Sequence, residues 1–244
     1  MASPTFGSYT LPGAIQTTTD DVAAELSTWK PSGKPGQGSV DSLLSAKRVS
    51  IQGIVKYGSL ALRDAGWEAI KAGLPVGPQR ALVVSSATPA RYFEARVEQL
   101  TRSLNPQFPF RLVYDATFFV GSGVAVASSL TTQTLTTSGG TVSSVGGTEP
   151  ALPTIEISLS TAGSIVITNT TTNEAISLTA TATGTIFLDS AAETITRGGN
   201  DVSSEWTAGQ FLSFAAGVAN TLSIATSGGA VVSGLAISYR ARWR

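Results

Sequence analysis

The chain contains no cysteine and no histidine, and a single methionine. Without cysteine there is no disulfide framework, no thiolate ligand and no thiol nucleophile. Without histidine there is no Ser-His-Asp triad and no zinc site of the usual histidine type. Charge is scarce as well: 13% of residues are Asp, Glu, Lys or Arg, about half of an ordinary soluble domain. The 16 cations and 16 anions cancel, so no electrostatic footprint for nucleic acid is present. No apolar run approaches the roughly 20 residues of a membrane span. The first ten residues lack the basic and apolar regions of a signal peptide. A soluble, cytoplasmically made protein without cofactor is therefore expected, and chemistry-rich functions are disfavoured.

What fills the space is Ser and Thr, 30 and 31 of the 244 residues, beside 42% hydrophobic residues. Residues 1–126 hold 21 of the charged side chains and residues 127–244 hold 11. This shift coincides with a Ser/Thr/Gly stretch from Ser128 to Glu149, closed by Pro150 and Pro153. Two domains are expected, 1–126 and 127–244. Leu130 and Leu135 in a Thr-rich run also allow a strand there, because Thr fits a pleated surface.

The first half has one helix pattern, Ser59–Ala72, with Leu62, Trp67 and Ile70 near helical spacing, Ser59 as cap and Gly73 as stop. Gly66 inside it costs about 1 kcal/mol relative to Ala, which implies a close packing neighbour. Strands are expected over Lys47–Lys56, Ala81–Ser86, Arg91–Arg102 and Arg111–Val120, in an antiparallel sheet with one wet face. Phe93, Ala95 and Val97 point one way; Glu94, Arg96 and Glu98 point the other. The Gly/Pro-rich segment Lys30–Ser39 reads as a cationic surface loop.

The second half reads as an all-β sandwich, with short strands at intervals of about ten residues. They are expected over Thr154–Leu159, Ser164–Thr168, Ala175–Ala182, Thr185–Asp189, Glu193–Arg197, Gln210–Phe214, Thr221–Ala225 and Leu235–Trp243. In the last of these, Arg240, Arg242 and Arg244 share one face, opposite Tyr239 and Trp243. Arg197-Gly198-Gly199-Asn200 supplies the positive φ of a tight hairpin.

Candidate chemistry weighs poorly. Asp20 and Asp21 are adjacent carboxylates but too few for a metal, and read as the end of a Thr-rich strand. Glu94 and Glu98 lie about 13 Å apart on a strand, beyond the spacing of inverting glycosidases, with Arg96 between them. A solvated or subunit-bridging ion-pair row fits better. Asp189, Asn200 and Asp201 match no EF-hand spacing, and Asp189-Ser190 reads as a turn opener. The glycine pairs lack the Lys-Ser/Thr of a phosphate loop. The Arg240/Arg242/Arg244 face suits either an acidic partner or an edge strand protected by charge. Trp206 and Trp243 are the candidates for sugar stacking, with core packing favoured for Trp243.

The segments Ile186–Ser190, Glu193–Asn200, Ala216-Gly217, Asn220–Ile224 and Ile237–Trp243 resemble the C-terminal half of siphophage distal tail proteins. Those proteins place an aliphatic-Asp-Ser strand end before a Gly/Asn hairpin, then a Pro-Gly-x-Asn turn, then a final Tyr-Arg-x-Arg-Trp strand. Here Ala216 stands at the Pro position, and the spacing from Gly217 to Asn220 is one residue longer. Phe6–Tyr9, Arg48–Gly53, the helix and the following strands are similar to the N-terminal half. The resemblance implies a mainly β fold: an N-terminal tail-tube-like β-sandwich or barrel with one packed helix, and a C-terminal galectin-like antiparallel β-sandwich.

It also implies a structural virion protein at the tail tip, assembled in the host cytoplasm. It would form a ring, a homohexamer, that joins tail tube to tail-tip or baseplate hub and receptor-binding proteins. Genome DNA would pass the lumen without specific binding, and no membrane would be entered. The expected contact residues are Lys30, Lys34, Glu94, Arg96, Glu98, Arg240, Arg242 and Arg244. No catalytic, cofactor or metal residue is expected. The alternatives are a major tail-tube subunit with an appended sandwich, a carbohydrate-binding adhesion module that uses Trp206, and, last, an enzyme.

Overall fold

A computed structural model describes residues 3–21, 46–84 and 89–244. The chain is mainly β with antiparallel sheets. It divides into two compact units that change over between Ser128 and Ser129.

The first unit contains β1 (Thr5–Phe6), β2 (Tyr9–Thr10), β3 (Ala14–Asp21), β4 (Lys47–Lys56), helix α1 (Leu60–Gly73), β5 (Arg80–Val83), β6 (Arg91–Ser103), β7 (Arg111–Val120) and β8 (Ala125–Ala127). Its sheet runs β2-β1-β5-β6-β7-β4-β3, and β8 also pairs with β6. The thirteen residues of β6 serve three partners, β8 among them along Arg91–Phe93. Arg80–Leu82 of β5 pair with its first part, and β7 pairs with it from Arg96 to Ser103. A bulge falls between Val97 and Gln99, so the inward phase Phe93, Ala95, Val97 slips to Leu100.

Alternation explains why this sheet has one wet face. Val49 and Ile51 on β4 and Leu112, Tyr114, Ala116, Phe118 and Val120 on β7 point inward and are buried. Between them, Arg48, Ser50, Gln52, Asp115, Thr117 and Phe119 point outward. Helix α1 covers the inner face with Trp67 and Ile70. Ser59 caps it, its Oγ accepting from the Leu62 amide at 3.2 Å. Two expectations are corrected here. Leu62 lies on the solvent side, 58% exposed, and Gly73 is the last helical residue, with Leu74 as the C-cap.

The neighbour that Gly66 implies is Tyr57. A Cβ at Gly66 would stand 2.0 Å from the Tyr57 hydroxyl. The device recurs on β4, where a Cβ at Gly53 would meet the Tyr114 ring at 2.3 Å. The Tyr114 hydroxyl donates to the Pro12 carbonyl at 2.8 Å. Burial first, and then the neighbouring Tyr9 and Tyr57, push the Tyr114 phenol far above its ordinary value.

The second unit is a sandwich. Its strands are β9 (Thr131–Leu135), β10 (Gly139–Val142), β11 (Thr154–Thr161), β12 (Gly163–Asn169), β13 (Glu174–Ala180), β14 (Gly184–Asp189), β15 (Thr194–Arg197), β16 (Asn200–Asp201), β17 (Trp206–Gly209), β18 (Asn220–Ser227), β19 (Val231–Tyr239) and β20 (Arg242–Trp243). One sheet is β10-β18-β12-β13-β17 and the other β16-β15-β14-β11-β19-β9. Ile155, Ile157, Ile186, Leu188, Leu235 and Ile237 from the second sheet meet Ile165, Ile167, Ile176 and Leu178 from the first. The expected strand at Gln210–Phe214 is instead Trp206–Gly209. Residues 210–214 form only an isolated bridge from Phe214 to Ala151.

The expected turns form. Gly198 and Gly199 adopt φ of +58° and +81° between β15 and β16. Asp189 accepts from the Ala191 and Ala192 amides at 2.9 and 3.0 Å. Gln133 of β9 ties the two sheets together at one side. Its amide nitrogen donates to the Thr141 carbonyl at 2.8 Å, and its oxygen accepts from the Ser143 amide at 3.2 Å.

Candidate assembly surfaces

Glu94, Arg96 and Glu98 all face solvent on β6, and each is occupied differently. The Glu98 carboxylate receives both Nε and Nη2 of Arg48, at 2.7 and 2.8 Å, across the intervening strand β7. These hydrogen bonds, with the charges of Arg48 and Arg96, hold the Glu98 carboxyl below its ordinary range. Both partners are more than a third exposed, so solvent screens the pair and it adds little to stability. Arg96 lies over the Phe119 ring at 4.9 Å. In register, Arg48 and Arg96 flank Phe119 from its two sides. Glu94 accepts from Gln79 Nε2 at 3.3 Å. It borders an open depression of about 430 Å³ with Gln79, Arg80, Ala81 and Tyr92. Lys30 and Lys34 lie outside the described residues, as does the rest of the Lys30–Ser39 loop.

The wet face of the β6-β7-β4-β3 sheet is thus polar and of mixed sign. Gln52 donates to Asp115 at 3.1 Å, and Ser50 and Thr117 share a hydrogen bond at 3.4 Å. Its borders are β3 on one side and the Glu98–Ser103 part of β6 on the other. Among the described residues no further strand pairs with either border.

The arginine face at the C-terminus is corrected. β19 ends at Tyr239, and Arg242–Trp243 is a separate short strand. Nor is β19 an edge, since it lies between β11 and β9. Arg242 is half-buried, with Nη1 donating to the Pro150 carbonyl at 3.0 Å. Its own carbonyl accepts from the Thr148 and Glu149 amides at 2.9 and 3.1 Å. The Arg244 amide donates to Thr148 Oγ1 at 3.1 Å. Trp243 is buried, as expected. Trp206 packs edge-on against Phe211 with centroids 5.3 Å apart, and its indole donates to the Ala208 carbonyl. It is half-buried against the core rather than presented for stacking.

Two polar clusters escaped sequence reasoning. Glu205 is buried, and its carboxylate takes Arg197 Nη1 and Nη2 at 2.9 and 2.5 Å and the Thr181 amide and hydroxyl at 2.9 and 2.5 Å. The only hint was a lone acid in a charge-poor half. The second centres on Asn220, fully buried beside Asn169. Asn220 Oδ1 accepts from the Ala215 amide at 2.8 Å, and its Nδ2 donates to the Ala215 and Val218 carbonyls. The longer turn around Gly217 is closed in this way. Asn220→Ala leaves the Ala215 amide and carbonyl without their partner, while the Val218 carbonyl keeps the Val145 amide. We expect a loss of about 2–4 kcal/mol in chemical denaturation of the full chain.

No protein-family model and no curated protein matches the chain. Among solved structures, the Dit protein of phage SPP1 is similar in fold, with a TM-score of 0.72 and 16% identity over 99% of each chain. That protein is described as a paradigm of the hub adsorption apparatus in phages that infect Gram-positive bacteria. A chain of the phage P2 baseplate in its activated, calcium-containing conformation also matches, at a TM-score of 0.45 and 12% identity over 98% of this chain and 90% of that one. The strontium form gives 0.47 and 12% over the same shares. These two superpose too loosely to add to the argument. The likeness to the SPP1 hub protein is one of fold, and it runs the length of the chain.

Proposed function

We propose that this chain is a distal tail protein of a siphophage: a ring-forming hub that joins the tail tube to the tail tip. The observation that carries the reading is the whole-length likeness in fold to a phage hub protein. Residues 1–126 serve as the ring-forming, tail-tube-like domain and residues 127–244 as the galectin-like one.

The sheet itself supports a ring. In the order β6-β7-β4-β3 each neighbour is antiparallel to the next. β3 and β6 therefore run in opposite directions. Setting β3 of one copy beside the Glu98–Ser103 border of the next continues the same alternation. Repetition of that heterologous contact closes a barrel and removes both open edges. An interface of roughly 1,600 Å² per pair is expected for a stable ring. The homohexamer, the Lys30–Ser39 loop, the Glu94/Arg96/Glu98 row and the C-terminal arginines as contacts, and assembly in the host cytoplasm, belong to this proposal.

The wet face suits a lumen that DNA traverses. Tight binding to DNA rests on uncompensated cations over phosphates. Here Arg48 is paired with Glu98, and Asp115 stands between the ends of the sheet. Such a surface neither holds nor strongly repels a polyanion.

Electron microscopy of tails labelled with an antibody fragment against this chain tests the reading. A single collar of label at the distal tip is expected. Label along the whole tube would establish the tail-tube subunit instead, and unlabelled particles would exclude a virion role.

A further inference from the structure

One end of the β6-β7-β4-β3 sheet gathers exposed apolar side chains. Ile15 opens β3 and Ile54 lies near the end of β4. Leu104, Phe108 and Phe110 form the hairpin tip between β6 and β7. Their exposures run from 37% to 60%. The first turn of α1 adds Leu60 and Leu62, at 49% and 58%. The tip and the helix are joined: Arg63 Nη1 donates to the Pro109 carbonyl at 2.8 Å, and the Tyr57 amide donates to the Phe110 carbonyl at 2.9 Å. These seven are over half of the exposed large hydrophobics among the described residues. Clustering of that kind marks an interaction surface, whereas scattered exposure does not.

The same end is cationic. Lys56 and Arg111 stand directly opposite one another in the β4–β7 register, an arrangement that costs stability. Arg111 lies over the Phe108 ring at 4.5 Å and holds it at the tip. Arg63 and Arg102 share the carboxylate of Asp64, at 2.9 and 4.0 Å. Glu68, a turn further along the helix, is taken by Lys71.

We propose that this end is a docking rim for a different protein, one that meets it with an acidic surface bearing apolar contacts. This rests on the ring reading, in which the rim lies at one mouth of the collar and the partner is the coaxial ring stacked upon it. The charge selects the occupant. A second copy applied end to end would set Lys56 and Arg111 against their own kind. Phosphates would satisfy the cations but would leave five aliphatic side chains in water. An acidic, apolar protein rim satisfies both sets at once.

The test places a photo-crosslinker at the tip. Tails are assembled with Phe108→p-benzoylphenylalanine in the full chain, irradiated, and the joined peptides are sequenced. The expected product is one peptide of another tail protein, rich in Asp and Glu beside apolar residues. The double variant K56E/R111E should still form the ring but lose at least tenfold in that crosslink. Crosslinks only to other copies of this chain, only to DNA, or to nothing would overturn the rim, while the ring reading stood. Tails that lack the chain altogether would overturn both. An unchanged crosslink in K56E/R111E would show that charge does not select the partner.

Discussion

Replacing Gly53 by alanine should lower the stability of the first unit by about 3 kcal/mol. Gly53 pairs with Tyr114 in the β4–β7 register, and the ring lies flat over it. A methyl group there would be 2.3 Å from two ring carbons and 2.5 Å from the hydroxyl oxygen. Tyr114 has nowhere to retreat. It is fully buried among Val49, Ile51, Trp67 and Phe118, and its hydroxyl holds the chain before β3 through Pro12. To admit the methyl, the ring must leave its rotamer or the two strands must part, and either breaks that hydrogen bond. Chemical denaturation of the full chain measures the loss. The cause is checked by a double-mutant cycle. In a Tyr114→Leu background the ring is gone, and Gly53→Ala should then cost less than about 1 kcal/mol. An equal cost in both backgrounds would place the strain elsewhere.

The second large effect belongs to Glu205. Its carboxylate neutralises Arg197, whose side chain is 14% exposed and whose Nε has no partner. Removing the acid leaves a guanidinium in a site from which water is largely excluded. Glu205→Ala should cost about 3–5 kcal/mol. Replacing both partners by apolar residues, Arg197→Met with Glu205→Leu, should cost far less, because no charge is then stranded. Glu205 also sets a pH dependence. Burial acts to raise its carboxyl pKa, but the hydrogen bonds from Arg197 and Thr181 and the charge of Arg197 outweigh burial and lower it. The folded state therefore binds this proton less readily than the unfolded state. The contribution is complete above the ordinary carboxyl value near 4.5 and fades as pH falls through the lower, folded value. Below pH 4.5 the wild type should lose stability more steeply than Glu205→Gln. Parallel curves would contradict the assignment.

How far these features could be read from residues alone follows the range of each interaction. Helix α1 was legible because its signals are local: Ser59 at the cap, Trp67 and Ile70 on one side, prolines beyond the end. The wet and dry faces of β4, β6 and β7 were legible because strict alternation is a local pattern too. The bulge in β6 was missed, because the alternation reads only as far as Glu98 and the inward phase slips to Leu100 beyond it. The glycine–tyrosine contacts and the Arg197–Glu205 pair were not legible, since each depends on which strands become neighbours. Leu62 faces water because, at about 100° per residue, it stands roughly 140° round the helix from Trp67 and roughly 80° from Ile70. At the C-terminus, alternation through Trp243 looked like one strand. The run instead breaks after Tyr239, and the Arg242 carbonyl is taken by the Thr148 and Glu149 amides.

Of the expected contact residues, the Glu94/Arg96/Glu98 row proved to be partly spent within the subunit. Glu98 serves Arg48 and Arg96 serves Phe119, so an interface there would use the strand's backbone border more than its charges. The tip of the β6–β7 hairpin carries more uncommitted apolar surface than any residue chosen from the sequence.

The central claim is that the open borders of one sheet close upon copies of themselves. The mass of the purified full chain in solution, by light scattering and native mass spectrometry, tests it most directly. One closed species at a fixed multiple of 25.0 kDa is predicted, reverting to monomer when Thr19→Pro removes a backbone donor that faces away from β4 on the open border of β3. A folded chain that stays monomeric up to about 100 μM, far above the Kd expected of a standard-size interface, would contradict it.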